Sequence, residues 1–259
     1  MRLAVVLLLV LVAGCGTSDP GPGRASPPAA PFSATERPWS VLDGPLARCG
    51  PQPPGLERES FHFQVLTDPA VGEIPSVTIG RGRTVAVLLH QTDGDGLCGW
   101  LEFAAQIGAR PGLTALAVDL CEYGDAACRP GRAQTDAVEV ALRHAREDLH
   151  ARRVVVVGAS MGGAVALMSA SRLGGIDAAV DLSGPVDWPG TEVVRRGRAL
   201  RVPVLVAMAR DEGPEEMAGA RAVVAHAPAG SRFVPVGSGH GYELLARLRP
   251  QLLGWIAGG

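Results

Sequence analysis

The sequence predicts an α/β domain: a mostly parallel, doubly wound sheet of about eight strands, with helices on both faces and a minimal cap. Two observations carry this. Past residue 60, strand-like and helix-like segments alternate, as they do where each strand feeds a crossover helix. Several strand segments are also unbroken apolar runs, such as "TVAVLL" (84–89) and "VVVV" (154–157); strands buried on both faces read this way, whereas half-exposed strands alternate. Residues 40–259 suit one domain with a sizeable core.

In chain order, "SFHFQVLTD" (60–68) and "EIPSVTIG" (73–80) form a β-rich, antiparallel lead-in. "RTVAVLLH" (83–90) is the first fully buried strand, followed by a helix over 99–110 and a strand over 112–120. A long helix spans about 133–151, with Ala137, Val140 and Ala141 on one stripe. Then come the strand 153–158, the helix 160–173 and the strands 176–184 and 201–209. A helix over 214–226, a strand over 231–236 and a helix over 241–256 complete the series.

The N-terminus stands apart. Leu3–Ala13 is an apolar run of eleven residues behind Met1 and Arg2, too short to span a bilayer, which takes about 20 apolar residues, and suited to a signal peptide. Val12-Ala13-Gly14-Cys15 resembles a bacterial lipobox, which implies that residues 1–14 are removed and that Cys15 carries lipid. Residues 15–39 are rich in Pro, Gly, Ser and Ala and read as a tether, because such composition buries too little apolar surface to fold. The expected location is therefore the bacterial cell envelope or exterior, on a membrane anchor.

The net charge of −2 gives no reason to expect a nucleic-acid partner. All 24 basic residues are arginine, and asparagine is absent. If Cys15 is lipidated, Cys49, Cys98, Cys121 and Cys128 remain, an even number that favours two disulfides in an exported domain. Cys121 and Cys128 bracket a short loop and are expected to pair, leaving Cys49 for Cys98. No cysteine pair or nearby histidine has zinc-ligand spacing, so no metal is expected. "DGDG" (93–96) lacks the other ligands of a calcium loop and reads as a turn.

In open parallel sheets, ligands bind at the carboxyl ends of the strands, and the chemistry-bearing residues gather there. Ser160 follows a strand within Gly158-Ala159-Ser160-Met161-Gly162; Asp211 follows the next-to-last strand; His240 follows the last. His90, Gln91 and Thr92 follow the first buried strand. A serine hydroxyl needs a base to act as a nucleophile near neutral pH. His240 would supply it, and Asp211 would hold the imidazole, with Asp187 as the rival acid.

The order Ser, Asp, His around this elbow resembles the α/β-hydrolases over residues 60–256, particularly single-domain esterases, lipases and peptidases. The resemblance implies a serine hydrolase acting on an ester, thioester or amide through an acyl-enzyme, without a cofactor. It assigns the oxyanion hole to the amide of Met161 and to that of Thr92 or Gln91. His90 is expected to brace that loop beside the substrate, and Trp188 to line one wall. Where relatives carry His-Gly, this chain has His90-Gln91. An acyltransferase would use the same triad, and a non-catalytic envelope binding protein could share the scaffold. The segment between the strands flanking 185–201 is 17 residues long, too short and polar to roof a deep acyl tunnel.

Overall fold

The structure is a computed structural model and describes residues 40–93, 96–189 and 200–259. The expected signal (1–14), Cys15 and the expected tether (15–39) lie outside the described residues, as do Gly94–Asp95 and residues 190–199 of the short insert.

A small antiparallel ribbon, β1 (Ser40–Val41) and β2 (Pro51–Gln52), opens the described chain. Arg48, in the 3-10 turn between them, reaches Asp119 at 2.7 Å and Asp125 at 2.8 Å. Cys49 is bonded to Cys98, so this lead-in segment is stapled beside the domain's third connection.

The main sheet has nine strands. In chain order they are β3 (His62–Asp68), β4 (Gly72–Gly80), β5 (Thr84–Leu89), β6 (Leu113–Val118), β7 (Ala127–Cys128), β8 (Arg153–Ala159), β9 (Ala178–Leu182), β10 (Val204–Ala209) and β11 (Arg232–Val236). Across the sheet the order is β11-β10-β9-β8-β5-β6-β4-β3, with β7 paired to β4. Everything from β11 to β6 is parallel; β4 pairs antiparallel with β6, and β3 and β7 each pair antiparallel with β4. Sequence periodicity predicts eight of these strands. The ninth, β7, is two residues long: the Cys121–Cys128 disulfide closes its loop and lays Ala127–Cys128 against Gly72–Glu73.

Every residue of β6, β9 and β10 is buried, which explains why these segments show no polar alternation. Odd and even positions instead feed two separate cores. Ala86, Leu88, Val155 and Val157 face α1 (Leu101–Gly108) and α5 (Leu245–Ala257), with Trp100 and Phe103. Val85, Val87, Leu89, Val154 and Val156 face α2 (Gln134–Glu147), α3 (Met161–Arg172) and α4 (Pro214–His226). The helix expected over 241–256 begins as a 3-10 turn at Gly241–Leu244 and becomes α5 at Leu245.

β8 is central, between β5 and β9, so its carboxyl end opens between two neighbouring strand ends. Ser160 stands there.

Candidate active site

Ser160 connects β8 to α3 with φ +50° and ψ −119°. A non-glycine residue there is strained by about 1–3 kcal/mol and persists only where its surroundings over-determine it. The surroundings do so. The Ser160 amide donates to Leu182 O at 2.8 Å, and its carbonyl accepts from the Gly163 and Ala164 amides at 2.8 and 3.2 Å. A Cβ on Gly158 would sit inside the Gly162 carbonyl, and one on Gly162 would overlap the carbonyls of Leu89 and His90. The two glycines are therefore demanded by close backbone approach: β8 to α3 in one case, the elbow to the end of β5 in the other. Ser160 itself is 9% exposed, and α3 is buried from Met161 to Ala170. As the first residue of α3, Met161 carries an N–H without an intrahelical acceptor, at the positive end of the helix dipole.

His240 lies in the loop after β11. Its amide donates to Glu243 Oε2 at 2.9 Å, and its carbonyl accepts from the Glu243 amide at 3.0 Å, a reciprocal cap that fixes the start of the last helical segment. A Cβ on the following Gly241 would approach Ala159 Cβ to 3.6 Å and collide with Gln91 Oε1. The histidine loop is thus seated on the elbow, beside Ser160.

The carboxylate at His240 Nδ1 is that of Glu212, with Oε1 at 2.6 Å. This corrects the assignment of the imidazole partner to Asp211. Asp211 instead accepts a longer bond, 3.3 Å, from the Gly239 amide. Both acids lie on one 3-10 turn, Arg210–Glu212, where successive side chains diverge by about 120°. One residue of difference therefore separates holding the ring from holding the backbone of its loop. Glu212 is the more sheltered member of the pair, 19% exposed against 47% for the His240 side chain. Asp187, the rival acid, is exposed after β9; the Glu216 carboxyl is raised chiefly by desolvation, opposed by its bond from the Val186 amide, with the charge of Asp187 adding to the rise.

His90 is fully buried. The Leu120 amide donates to Nε2 at 3.0 Å, which leaves Nδ1–H to donate to Gln91 O at 2.7 Å. Burial holds its pKa below the ordinary value. His90 is a neutral brace across the ends of β5 and β6, with both ring nitrogens occupied.

Gln91 is tied to the histidine loop twice. Its side-chain Oε1 accepts from the Tyr242 amide at 3.1 Å, and its own amide points at the Tyr242 hydroxyl at 3.4 Å. Tyr242 in turn stacks edge-on against Trp100, with ring centroids 4.9 Å apart, and burial raises its hydroxyl pKa. Thr92, one residue on, is exposed, and its amide has no hydrogen-bond partner among the described residues. Trp188 is half-buried and packs against the core on the α2–α4 face.

Sequence reasoning passed over one ionisable group. Asp181, at the end of β9, is fully buried, and its carboxyl is pushed up to about 7 by desolvation, with Glu216 and Glu212 adding to the rise. Its Oδ1 accepts from the Gly184 amide at 2.6 Å, and a Cβ on Gly163 would overlap that oxygen. Asp181 thereby clamps the turn after β9 against the first turn of α3. Its one signal in the sequence was an acid inside an otherwise apolar strand. Among the described residues, no group of three or more His, Cys, Asp or Glu side chains could hold a metal ion.

The sequence matches no protein-family model and no curated protein. Solved structures do share its architecture. An esterase of Pyrococcus furiosus matches 77% of this chain and 90% of its own, with TM-score 0.61 at 14% identity. The dienelactone hydrolase of Anabaena variabilis matches 77% of this chain and 97% of its own, with TM-score 0.61 at 15% identity. The proline iminopeptidase of Mycobacterium smegmatis matches 76% and 98%, with TM-score 0.57 at 12% identity. The fold is that of the α/β-hydrolases.

Proposed function

We propose that the α/β-hydrolase fold here carries a serine hydrolase whose triad is Ser160, His240 and Glu212, cleaving a carboxylic ester or a related acyl compound through an acyl-enzyme. The observation that carries it is the strained, backbone-pinned Ser160 on an elbow against which the loop bearing His240 packs, with a carboxylate already at His240 Nδ1. A serine with no chemical task gains nothing from that conformation. The esterase, dienelactone hydrolase and peptidase among the structural neighbours agree with the reading.

In this mechanism Ser160 Oγ attacks the acyl carbon and His240 Nε2 takes its proton. Glu212 holds Nδ1–H and stabilises the imidazolium that forms. The negative oxygen is met by the Met161 amide, and by the Thr92 amide in preference to that of Gln91, which is directed at Tyr242. His240 returns the proton to the leaving group; water then repeats the sequence to release the acid. The reaction needs no cofactor. Two disulfides in so small a domain suit an oxidising compartment, in keeping with an exported protein lipidated on Cys15 and held at the bacterial membrane.

A fluorophosphonate probe tests this directly. The wild-type chain should be labelled stoichiometrically, and Ser160→Ala should be unlabelled yet melt at the same temperature. Labelling that survives in Ser160→Ala would refute the assignment.

A further inference from the structure

At the opposite end of the sheet from Ser160, an open groove of about 1000 Å³ runs beneath the amino ends of β5 and β6. Six residues of strand separate the two ends, about 20 Å. Arg58, Arg81 and Arg110 line the groove, with His62, Thr78 and the single acid Glu59.

These arginines differ from others in the molecule. Arg48, Arg143, Arg146 and Arg249 each hold a carboxylate at 2.5–2.7 Å. Arg81 and Arg110 are exposed and make no ion pair among the described residues, and Arg58 has only a 3.8 Å contact to Glu57. Three arginines line this one groove against one carboxylate, which leaves it a net positive charge, felt more strongly in a groove than on a convex surface. Thr78 contributes to the inner wall, with its hydroxyl oxygen itself buried. Planar, fork-shaped donors around a polar pocket are the chemistry that recognises phosphate oxygens.

We infer that this groove is a binding site for a phosphate group, borne either by a soluble phosphate compound or by an anionic lipid headgroup. Neither ligand would touch the catalytic serine. With a lipid headgroup bound, the carboxyl ends of the strands, and Ser160 with them, would face away from the membrane.

The test titrates the full chain with inorganic phosphate, monomeric dihexanoyl phosphatidylglycerol and monomeric dihexanoyl phosphatidylcholine, reading heat and melting temperature. Phosphate and the glycerol lipid should bind, the choline lipid at least tenfold more weakly than the glycerol lipid. The double variant R81Q/R110Q should bind both anions at least tenfold more weakly, with unchanged melting temperature and hydrolysis in their absence. Because both positions are exposed, such changes leave stability nearly unaltered. A glycerol lipid bound tenfold more tightly than phosphate identifies a headgroup site; equal affinities identify a site for free phosphate compounds. Absence of anion binding, equal binding of the choline lipid, or full affinity in R81Q/R110Q would overturn the inference.

Discussion

Glu212→Gln should cripple the enzyme while Asp211→Asn leaves it working. The glutamate Oε1 lies 2.6 Å from His240 Nδ1, a short bond that becomes charge-assisted as the imidazolium forms. An amide at that position can donate to Nδ1 and so stabilise the tautomer that cannot take the serine's proton. Carboxylate-to-amide exchange in a triad typically costs ~10³–10⁴-fold in kcat, about 4–5.5 kcal/mol at 1.36 kcal/mol per tenfold. Asp211→Asn keeps an oxygen able to accept the 3.3 Å bond from Gly239, so kcat/KM should fall less than about fivefold. Initial rates on p-nitrophenyl acetate, beside thermal melts of each variant, measure both. Because triad members act as a unit, adding Glu212→Gln to His240→Ala should lower the rate little further. Near-normal turnover in Glu212→Gln with collapse in Asp211→Asn would show that the ring swings to the neighbouring acid, and the assignment would fail.

Other consequences can be read with simple measurements. Gly158→Ala drives a methyl into the Gly162 carbonyl and should cost about 1–3 kcal/mol or more together with probe labelling. Gly254→Ala, in α5 with open space around it, should stabilise by ~0.5–1 kcal/mol; equal effects in the two would deny the crowding at the elbow. Asp181 ionises near 3.8 when unfolded and about 7 when folded, so the folded chain holds a proton that the unfolded chain has lost between those values. Its contribution to stability is present below about pH 4 and declines as pH rises through 7. Asp181→Asn should flatten the pH dependence of the urea midpoint from pH 5 to 8, by on the order of 1–4 kcal/mol, and an unchanged slope would count against the buried acid. Acetyl to hexanoyl esters should be preferred to palmitoyl ones, since Trp188 already spends ring surface on the core; a kcat/KM still rising at sixteen carbons would refute a shallow site.

The fold was legible because its main signals are local. Runs such as Val154–Val157 can satisfy their apolar surface only between two helical layers, and alternation with helices then forces parallel strands. β7 escaped because two residues have no periodicity; a disulfide and the backbone of β4 make it a strand. The elbow was legible for a similar reason. Glycine at 158 and 162 is a steric requirement, and steric requirements restrict the residue type that can stand there.

The carboxylate that meets His240 Nδ1 was not legible, and the reason is geometric. "RDEG" follows β10 and offers two carboxylates in succession. Which of them meets the imidazole depends on the winding of a single 3-10 turn and on where the histidine loop docks. That docking is set by Gln91, reaching from the end of β5 to the Tyr242 amide some 150 positions away, and by Tyr242 resting on Trp100. The contact is made by the Gln91 side chain. A glycine there has no side chain to accept from Tyr242, so the histidine loop of this chain is held by a contact that a glycine cannot make. The Gln91–Tyr242 contact and the Glu212–His240 contact are then two parts of one arrangement. A longer acid side chain reaches an imidazole whose loop is seated by Gln91 on the elbow, while the shorter Asp211 is left to steady Gly239. Gln91→Gly should accordingly loosen the loop, lowering kcat more than it raises KM, and a further Glu212→Asp change should restore part of the loss if the loop then settles nearer β10.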